Sequence, residues 1–176
     1  MRNFLVRGSV LVAMLAGTAA IAQTPTNANE FVTQARAGDL FQKQAGMVME
    51  HSEDPKIRMF AMKMLRSHVR SMNQIKMAAQ AAGIQSAAPS LDSEQAQMLA
   101  DLKAAHGADQ IALYLKQEKR LHQQMLTLMA EYISNGDQPK LQNVASQIAP
   151  VIEHHSVELK TMDRRLSVAN AEITLR

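Results

Sequence analysis

The sequence predicts an all-α protein, a four-helix bundle with an extra short helix in the connection between its second and third long helices. Three observations carry this. The 176 residues are 47% apolar but only 3% aromatic, with 13 Met and 7 Gly. Ala, Met, Leu, Gln and Lys form helices well, and the shortage of aromatics and glycines argues against sandwiches, barrels and nucleotide-binding sheets. Turn and capping signals cut the chain into four long segments joined by short links, the pattern of a bundle. Within each segment apolar residues recur at three- and four-residue spacing, which is one buried face of a helix.

Residues 1–22 stand outside that fold. Arg2 and Arg7 precede a weakly polar apolar stretch, Gly8 to Ala22, that ends Ala20-Ile21-Ala22, an A-x-A cleavage pattern. The stretch is shorter than the roughly 20 residues that span a bilayer. We read residues 1–22 as a cleaved secretory signal with its site near Ala22, 23–28 as a polar leader, 29–170 as the bundle domain and 171–176 as a tail. An exported, periplasmic location follows from that reading. Without the signal, Lys plus Arg falls from 19 to 17 against 16 Asp plus Glu, so the net charge is +1 rather than +3. That balance, with few aromatics to stack on bases, argues against a nucleic-acid partner. No later apolar run reaches membrane-spanning length.

The first long helix is expected from about Asn29 to His51. Asp54 caps the second and Pro55 occupies its first position, and this helix runs to about Ala82 before Gly83. A loop containing Pro89 follows. Asp92 and Gln95 form a capping box for the short helix, about Asp92 to Ala105, and His106-Gly107 breaks it. The third long helix spans about Ala108 to Asn135 and stops at Asn135-Gly136-Asp137. The fourth runs from about Pro139 to Asn170, with Pro150 inside it and a kink expected there. The second helix carries Ile57, Ala61, Met64, Leu65, Met72, Ile75 and Ala79 on one face. The third carries Ile111, Leu115, Met125, Leu126, Met129 and Ile133. The fourth carries Leu141, Val144, Ile148, Val151, Leu159, Met162 and Leu166. In the first, Gly38 and Gly46 lie among Phe31, Ala35, Ala45 and Met49, small residues that let a neighbouring helix approach closely.

Each apolar stripe is interrupted by one polar residue. Gln42, His68, His122 and His155 lie at the centres of the four stripes and within two residues of the midpoints of their helices. Straight helices of aligned centre would bring them to one level. Three inward imidazoles suit a single transition metal such as Zn, Cu or Fe. Glu118, one turn before His122, is the candidate fourth or supporting ligand, and Gln42 a candidate support from behind. The same residues also suit a buried hydrogen-bond network in a structural or protein-interaction module, or a pH sensor.

The chain also carries Asp39-Leu40-Phe41, Asp54-Pro55-Lys56, Phe60-Ala61 and Met64 four residues before His68. Tyr114 stands eight residues before His122, Gly136-Asp137 follows, and Pro150 stands five residues before His155. In order and spacing these resemble the bacterial domain-of-unknown-function family 4142, over about Asn29 to Met162. The resemblance implies an exported, ferritin-like bundle and no agreed activity. Two departures matter: Gln42 stands where relatives often have Glu, and Ser67 where they often have Asp. Ferritin-like di-iron sites use inward Glu and Glu-x-x-His pairs. The residues three before the inward histidines here are Leu65, Lys119 and Ile152, which disfavours ferroxidase or di-iron oxidase chemistry.

With no Cys there is no disulfide, thiol nucleophile, iron–sulfur or Cys-zinc site. No phosphate loop, nucleophile elbow or His-Glu-x-x-His motif is present, so no catalytic residues are assigned and a binding or stress-related accessory protein is favoured over an enzyme. Met47, Met49, His51, Met59, Met62 and Met64 cluster about the first turn, where thioethers suit Cu(I) but equally fill a core. Exposed together, they would form a partner-binding patch. Arg58, Arg66, Arg70 and Lys76 on the second helix, and Lys116, Lys119 and Arg120 on the third, form basic exterior faces open to a protein partner or simply to solvent. His51, His106 and His154 fall off the stripes.

Overall fold

The computed structural model describes residues 27–174, with side chains as far as Arg164. Five helices follow one another: α1 (Ala28–Met49), α2 (Pro55–Ala81), α3 (Ser93–Ala104), α4 (Gly107–Asn135) and α5 (Pro139–Thr174). Their ends obey the local signals. Asn27 Oδ1 accepts from the backbone N–H of Asn29 and Glu30 at 2.9 and 3.3 Å. Asp54 Oδ1 caps α2 through Lys56 and Ile57 at 2.7 and 3.2 Å. Asp92 and Gln95 close the capping box at α3. Gly83 ends α2 with φ +78°, a left-handed conformation that favours glycine. The segment expected to be a secretory signal, residues 1–22, lies outside the described residues, as do residues 23–26 of the expected leader. No helix among the described residues is long and apolar enough to cross a membrane.

Two apolar clusters show how the chain runs. One end holds Phe31, Ile75, Met129, Tyr132 and Leu141; the other holds Met49, Ile57, Tyr114, Leu115 and Leu159. α1 therefore leads from the first end to the second, and α2 returns. The loop and α3 carry the chain back along the outside, because Met98, Leu99 and Leu102 pack into the second cluster. α4 then descends beside α1, and α5 rises. The pairs α1–α2 and α4–α5 make the main packing, closed by α2–α5 and α1–α4. This is a four-helix bundle with one long crossover. The core lines are seven-residue seams: Phe31, Ala35, Gly38, Gln42, Ala45 and Met49 in α1; Ile57, Ala61, Met64, His68, Ser71 and Ile75 in α2. α4 contributes Leu115, Glu118, His122, Met125, Met129 and Tyr132, and α5 Leu141, Ala145, Ile148, Ile152, His155 and Leu159.

Two expected core positions are corrected. Ile133 is 36% exposed and Val151 44% exposed. A seven-residue seam drifts by about 20° per heptad on a straight helix, so at the end of α4 Tyr132 replaces Ile133, stacking on Phe31 with ring centroids 3.9 Å apart. On α5, Ile152 rather than its neighbour Val151 falls on the seam and is buried. Leu65, Met72, Ile111, Leu126 and Met162 are half-buried at stripe edges, and the side chain of Leu166 lies outside the description. α5 continues as one helix through Pro150, which faces outward. The Met cluster divides: Met49 and Met64 are in the core, while Met47, Met59 and Met62 are exposed.

α1 and α2 approach closely at Gly46. A Cβ there would stand 2.9 Å from Leu65 Cβ and 3.0 Å from the Ala61 carbonyl oxygen, which is backbone and cannot step aside. At Gly38 a Cβ would meet only the flexible Met125 side chain, at 3.4 Å. Gly46→Ala should therefore lower unfolding free energy by about 1–3 kcal/mol through overpacking. Gly38→Ala should be neutral or gain up to about 1 kcal/mol from helix propensity. Urea denaturation of the two variants checks the contrast, and equal effects would refute it.

Candidate metal centre

The two apolar clusters are separated by a layer of buried polar side chains. Asp39 and Gln42 come from α1, His68 and Ser71 from α2, Glu118 and His122 from α4, and His155 from α5; none is more than 8% exposed, and Asp39, Gln42, Glu118 and His122 are fully buried. The seams explain the meeting: every one of these residues occupies or adjoins a core-facing position at mid-helix. The three imidazoles form a near-equilateral triangle, with ring centroids 5.4, 5.6 and 5.5 Å apart. One nitrogen from each lies within 4.8 Å of the others. The sequence-predicted histidines do converge.

Hydrogen-bond partners set which nitrogen faces the middle. His68 Nδ1–H donates to Asp39 Oδ1 at 2.8 Å, which leaves Nε2 as a lone pair with no partner in a buried setting. His122 Nδ1–H donates to the Glu118 backbone carbonyl at 2.9 Å, freeing its Nε2 to face His155 Nδ1 at 3.4 Å. These tautomers follow from the acceptors available. Two nitrogens bound at about 2.1 Å to a tetrahedral ion stand about 3.4 Å apart, so the His122–His155 pair already has that spacing. His68 brings a ligand nitrogen within 4.8 Å of both.

Glu118 and Gln42 lie behind His122 rather than among the ligand nitrogens. Glu118 Oε2 is 3.4 Å from His122 Nδ1. Gln42 Nε2 is 3.5 Å from the same nitrogen, donor facing donor, and the contact is too long and mismatched to bind strongly. Both Glu118 oxygens and Gln42 Oε1 lack a well-formed hydrogen bond. Burial raises the Glu118 carboxyl to about 8, with the Gln42 amide pulling weakly the other way. Burial also lifts Asp39 above the usual carboxylate range, against the opposing pull of His68, Ser71 and Arg36. Burial, then the neighbouring His68, holds His122 down at about 3, and the Glu118 carbonyl partly offsets this. His155 also falls to about 3, first through burial and then through the charges of His68, His122, Lys63 and His154.

Sequence reasoning missed Asp39 as a site residue, although it stands in a noted motif three residues before Gln42 on the same helix face. Tyr114, one turn before Glu118, is likewise buried with a hydroxyl lacking any partner; burial and the nearby Glu118 push it upward. Glu158 turns away from the layer and binds Lys63 through both oxygens at 2.7 Å. His51, His106 and His154 are exposed, outside the cluster. On the basic faces, Lys119 pairs with Asp163 at 2.8 Å, Arg120 pairs with Glu94, and Arg58 donates to the Ser52 carbonyl at 2.7 Å.

Fold and site together define an all-α bundle with a buried trihistidine layer capable of holding a metal. The chain belongs to the family described as a domain of unknown function (DUF4142), which it matches over residues 13–162. It is also similar to a solved structure, the crystal structure of a DUF305 fragment from Deinococcus radiodurans, with a TM-score of 0.68 and 18% identity. That similarity covers 81% of this chain and 97% of that one. At that identity the likeness speaks for the fold alone. No curated protein matches the sequence.

The shifted groups give the metal-free protein a specific pH profile. Glu118, raised from 4.5 to about 8, holds its proton more tightly when folded, so its contribution is full below pH 4.5 and is lost as pH rises towards 8. His122 and His155, lowered from 6.5 to about 3, act oppositely: their contribution is full above pH 6.5 and is lost as pH falls towards 3. The opposing slopes give a stability maximum between the acid and the alkaline limb. Denaturation with chelator present, from pH 4 to 9, should show for Glu118→Gln a smaller alkaline fall than for the parent. Parallel profiles would show that Glu118 does not titrate in that window.

Proposed function

We propose that the protein is an exported, periplasmic binding or stress-related accessory protein that holds one transition-metal ion, such as Zn, Cu or Fe, through His68, His122 and His155. The observation that carries this is the pattern of unmet polar groups. A satisfied structural network would leave few orphans. Here His68 Nε2 is buried without a partner, and Gln42 Oε1, Asp39 Oδ2 and both Glu118 oxygens lack a well-formed hydrogen bond among the described residues. Meanwhile Asp39 and the Glu118 carbonyl occupy the outer nitrogens of two imidazoles, the usual way a protein orients histidine ligands and raises their basicity.

In this reading each residue has a defined task. His68, His122 and His155 donate lone pairs. Asp39 fixes the tautomer of His68, and the Glu118 backbone does so for His122. The Glu118 side chain backs His122 as polar support, and Gln42 supports Glu118 in turn. The metal would supply a Lewis-acid or electron-transfer centre with a position open to a fourth ligand. Neither carboxylate lies between two histidines, since each sits on the Nδ1 side of its own imidazole, which supports a single ion rather than a bridged di-iron pair. An export route is supported by the A-x-A pattern at Ala20–Ala22.

Elemental mass spectrometry after equilibration with Mn, Fe, Cu and Zn, followed by desalting, tests the reading. About one ion per chain is expected in the parent and none in His122→Ala, with the metal-free fold of the variant intact by circular dichroism. Asp39→Asn should keep the stoichiometry and weaken affinity by about 10- to 100-fold. No metal in the parent, together with a loss of stability in His122→Ala, would establish the structural network instead.

A further inference from the structure

The three imidazoles are not supported alike. His68 has the Asp39 carboxylate and His122 the Glu118 carbonyl on its outer nitrogen. His155 turns Nδ1 towards His122, and its Nε2 has no acceptor among the described residues. Nor is that nitrogen sealed from solvent as His68 Nε2 is. His155 itself is only 1% exposed, yet it forms the floor of a surface recess of about 470 Å³ between α2 and α5.

The rim of that recess is cationic. Lys63, Arg66 and Arg70 come from α2, and His154 from α5, with Pro150 and Val151 as the apolar wall. Glu158 is the counter-charge nearby, and it is already committed: it holds Lys63 with both oxygens at 2.7 Å, with His154 at 3.5 Å from the same carboxylate. Arg66 and Arg70 have no carboxylate partner among the described residues, and as an i,i+4 pair they repel. Two guanidinium groups and the Nε2 edge of a buried imidazole thus line one recess, with no carboxylate partner for either arginine among the described residues, groups that suit a planar or tetrahedral oxyanion.

We propose that this recess binds a small free oxyanion of the sulfate, phosphate or bicarbonate class, which accepts from His155 Nε2–H and pairs with Arg66 and Arg70. The anion supplies the outer support that the protein builds for the other two histidines but not for the third. Its coupling to a metal rests on the trihistidine reading, whereas its binding does not. Linkage then requires anion and metal each to tighten the other.

The test has two arms, both on the full chain. In the first, chelated protein is titrated with sodium sulfate against sodium chloride at matched ionic strength, with the His155 imidazole followed by NMR. A saturable shift is expected with sulfate, and no such shift in Arg66→Ala/Arg70→Ala, whose fold is checked by circular dichroism. In the second, Co²⁺ affinity is measured with and without saturating sulfate. At least about a fivefold gain is expected in the parent and none in the double variant. A sulfate shift without Co²⁺ binding upholds the anion site and refutes the metal reading. Co²⁺ binding with no sulfate shift refutes the anion site and leaves the metal reading standing. A shift equal in chloride, or unchanged in the double variant, is screening and overturns the proposal.

Discussion

Asp39 Oδ1 stands 2.8 Å from His68 Nδ1 in the middle of a helical core, and the polar layer depends on that contact. An imidazole and a carboxylate taken out of water cost several kcal/mol each unless they satisfy one another. The bond meets that cost on one side of the ring and, by fixing the tautomer, leaves an unpaired nitrogen on the other. The helix carbonyl of Glu118 does the same for His122. His68 and His122 are therefore held from outside the triangle, and they concentrate their free Nε2 lone pairs within it.

The bundle topology makes that concentration possible. α1 and α2 are a local hairpin that brings Asp39 to His68, and α4 and α5 a second hairpin that brings His122 to His155. The α3 crossover runs the second hairpin antiparallel to the first where they meet, so that the helix midpoints coincide. Seven-residue seams keep the same face inward through the layer and into both apolar clusters. Gly46 then allows α1 and α2 to approach to backbone contact. The apolar clusters at either end supply the burial that offsets a polar middle, with Tyr132 on Phe31 at one end and Tyr114 against Phe60 at the other, ring centroids 3.9 and 6.3 Å apart.

Much of this was legible in the sequence, because it is written in local rules. Capping residues, Gly83 and Asn135-Gly136 mark the helix ends to within a few residues. Three-four spacing places Gln42, His68, His122 and His155 at stripe centres, and counting to helix midpoints places them at one level. What escaped depends on details that a helical wheel averages out. Asp39 adjoins its seam beside Gly38, and only the packing of α2 turns it towards His68. Val151 and Ile152 both lie near the stripe by angle, and packing places Ile152 in the apolar cluster and leaves Val151 at the edge of the α2–α5 recess. The role of Glu118 turns on whether a side chain one helical turn away meets the front or the back of a ring, which residue spacing does not specify. The recess over His155 is formed by residues from two helices far apart in sequence.

Gln42 links these points. A carboxylate there would add another buried acidic group to the layer, beside Asp39, able to balance a dication held by three neutral imidazoles. The amide contributes none, and burial keeps Glu118 neutral at pH 7 in the metal-free protein. A bound dication would therefore retain positive charge within a low-dielectric core, where uncompensated charge is most costly. Compensation must come either from Glu118 losing its proton or from a negative group outside the bundle. His155, without outer support among the described residues, is also the histidine that lines the α2–α5 recess, with two arginines that have no carboxylate partner among those residues. The neutral residue on α1 and the cationic rim across α2 and α5 are thus complementary: a charge missing from the core is one that the surface is built to attract.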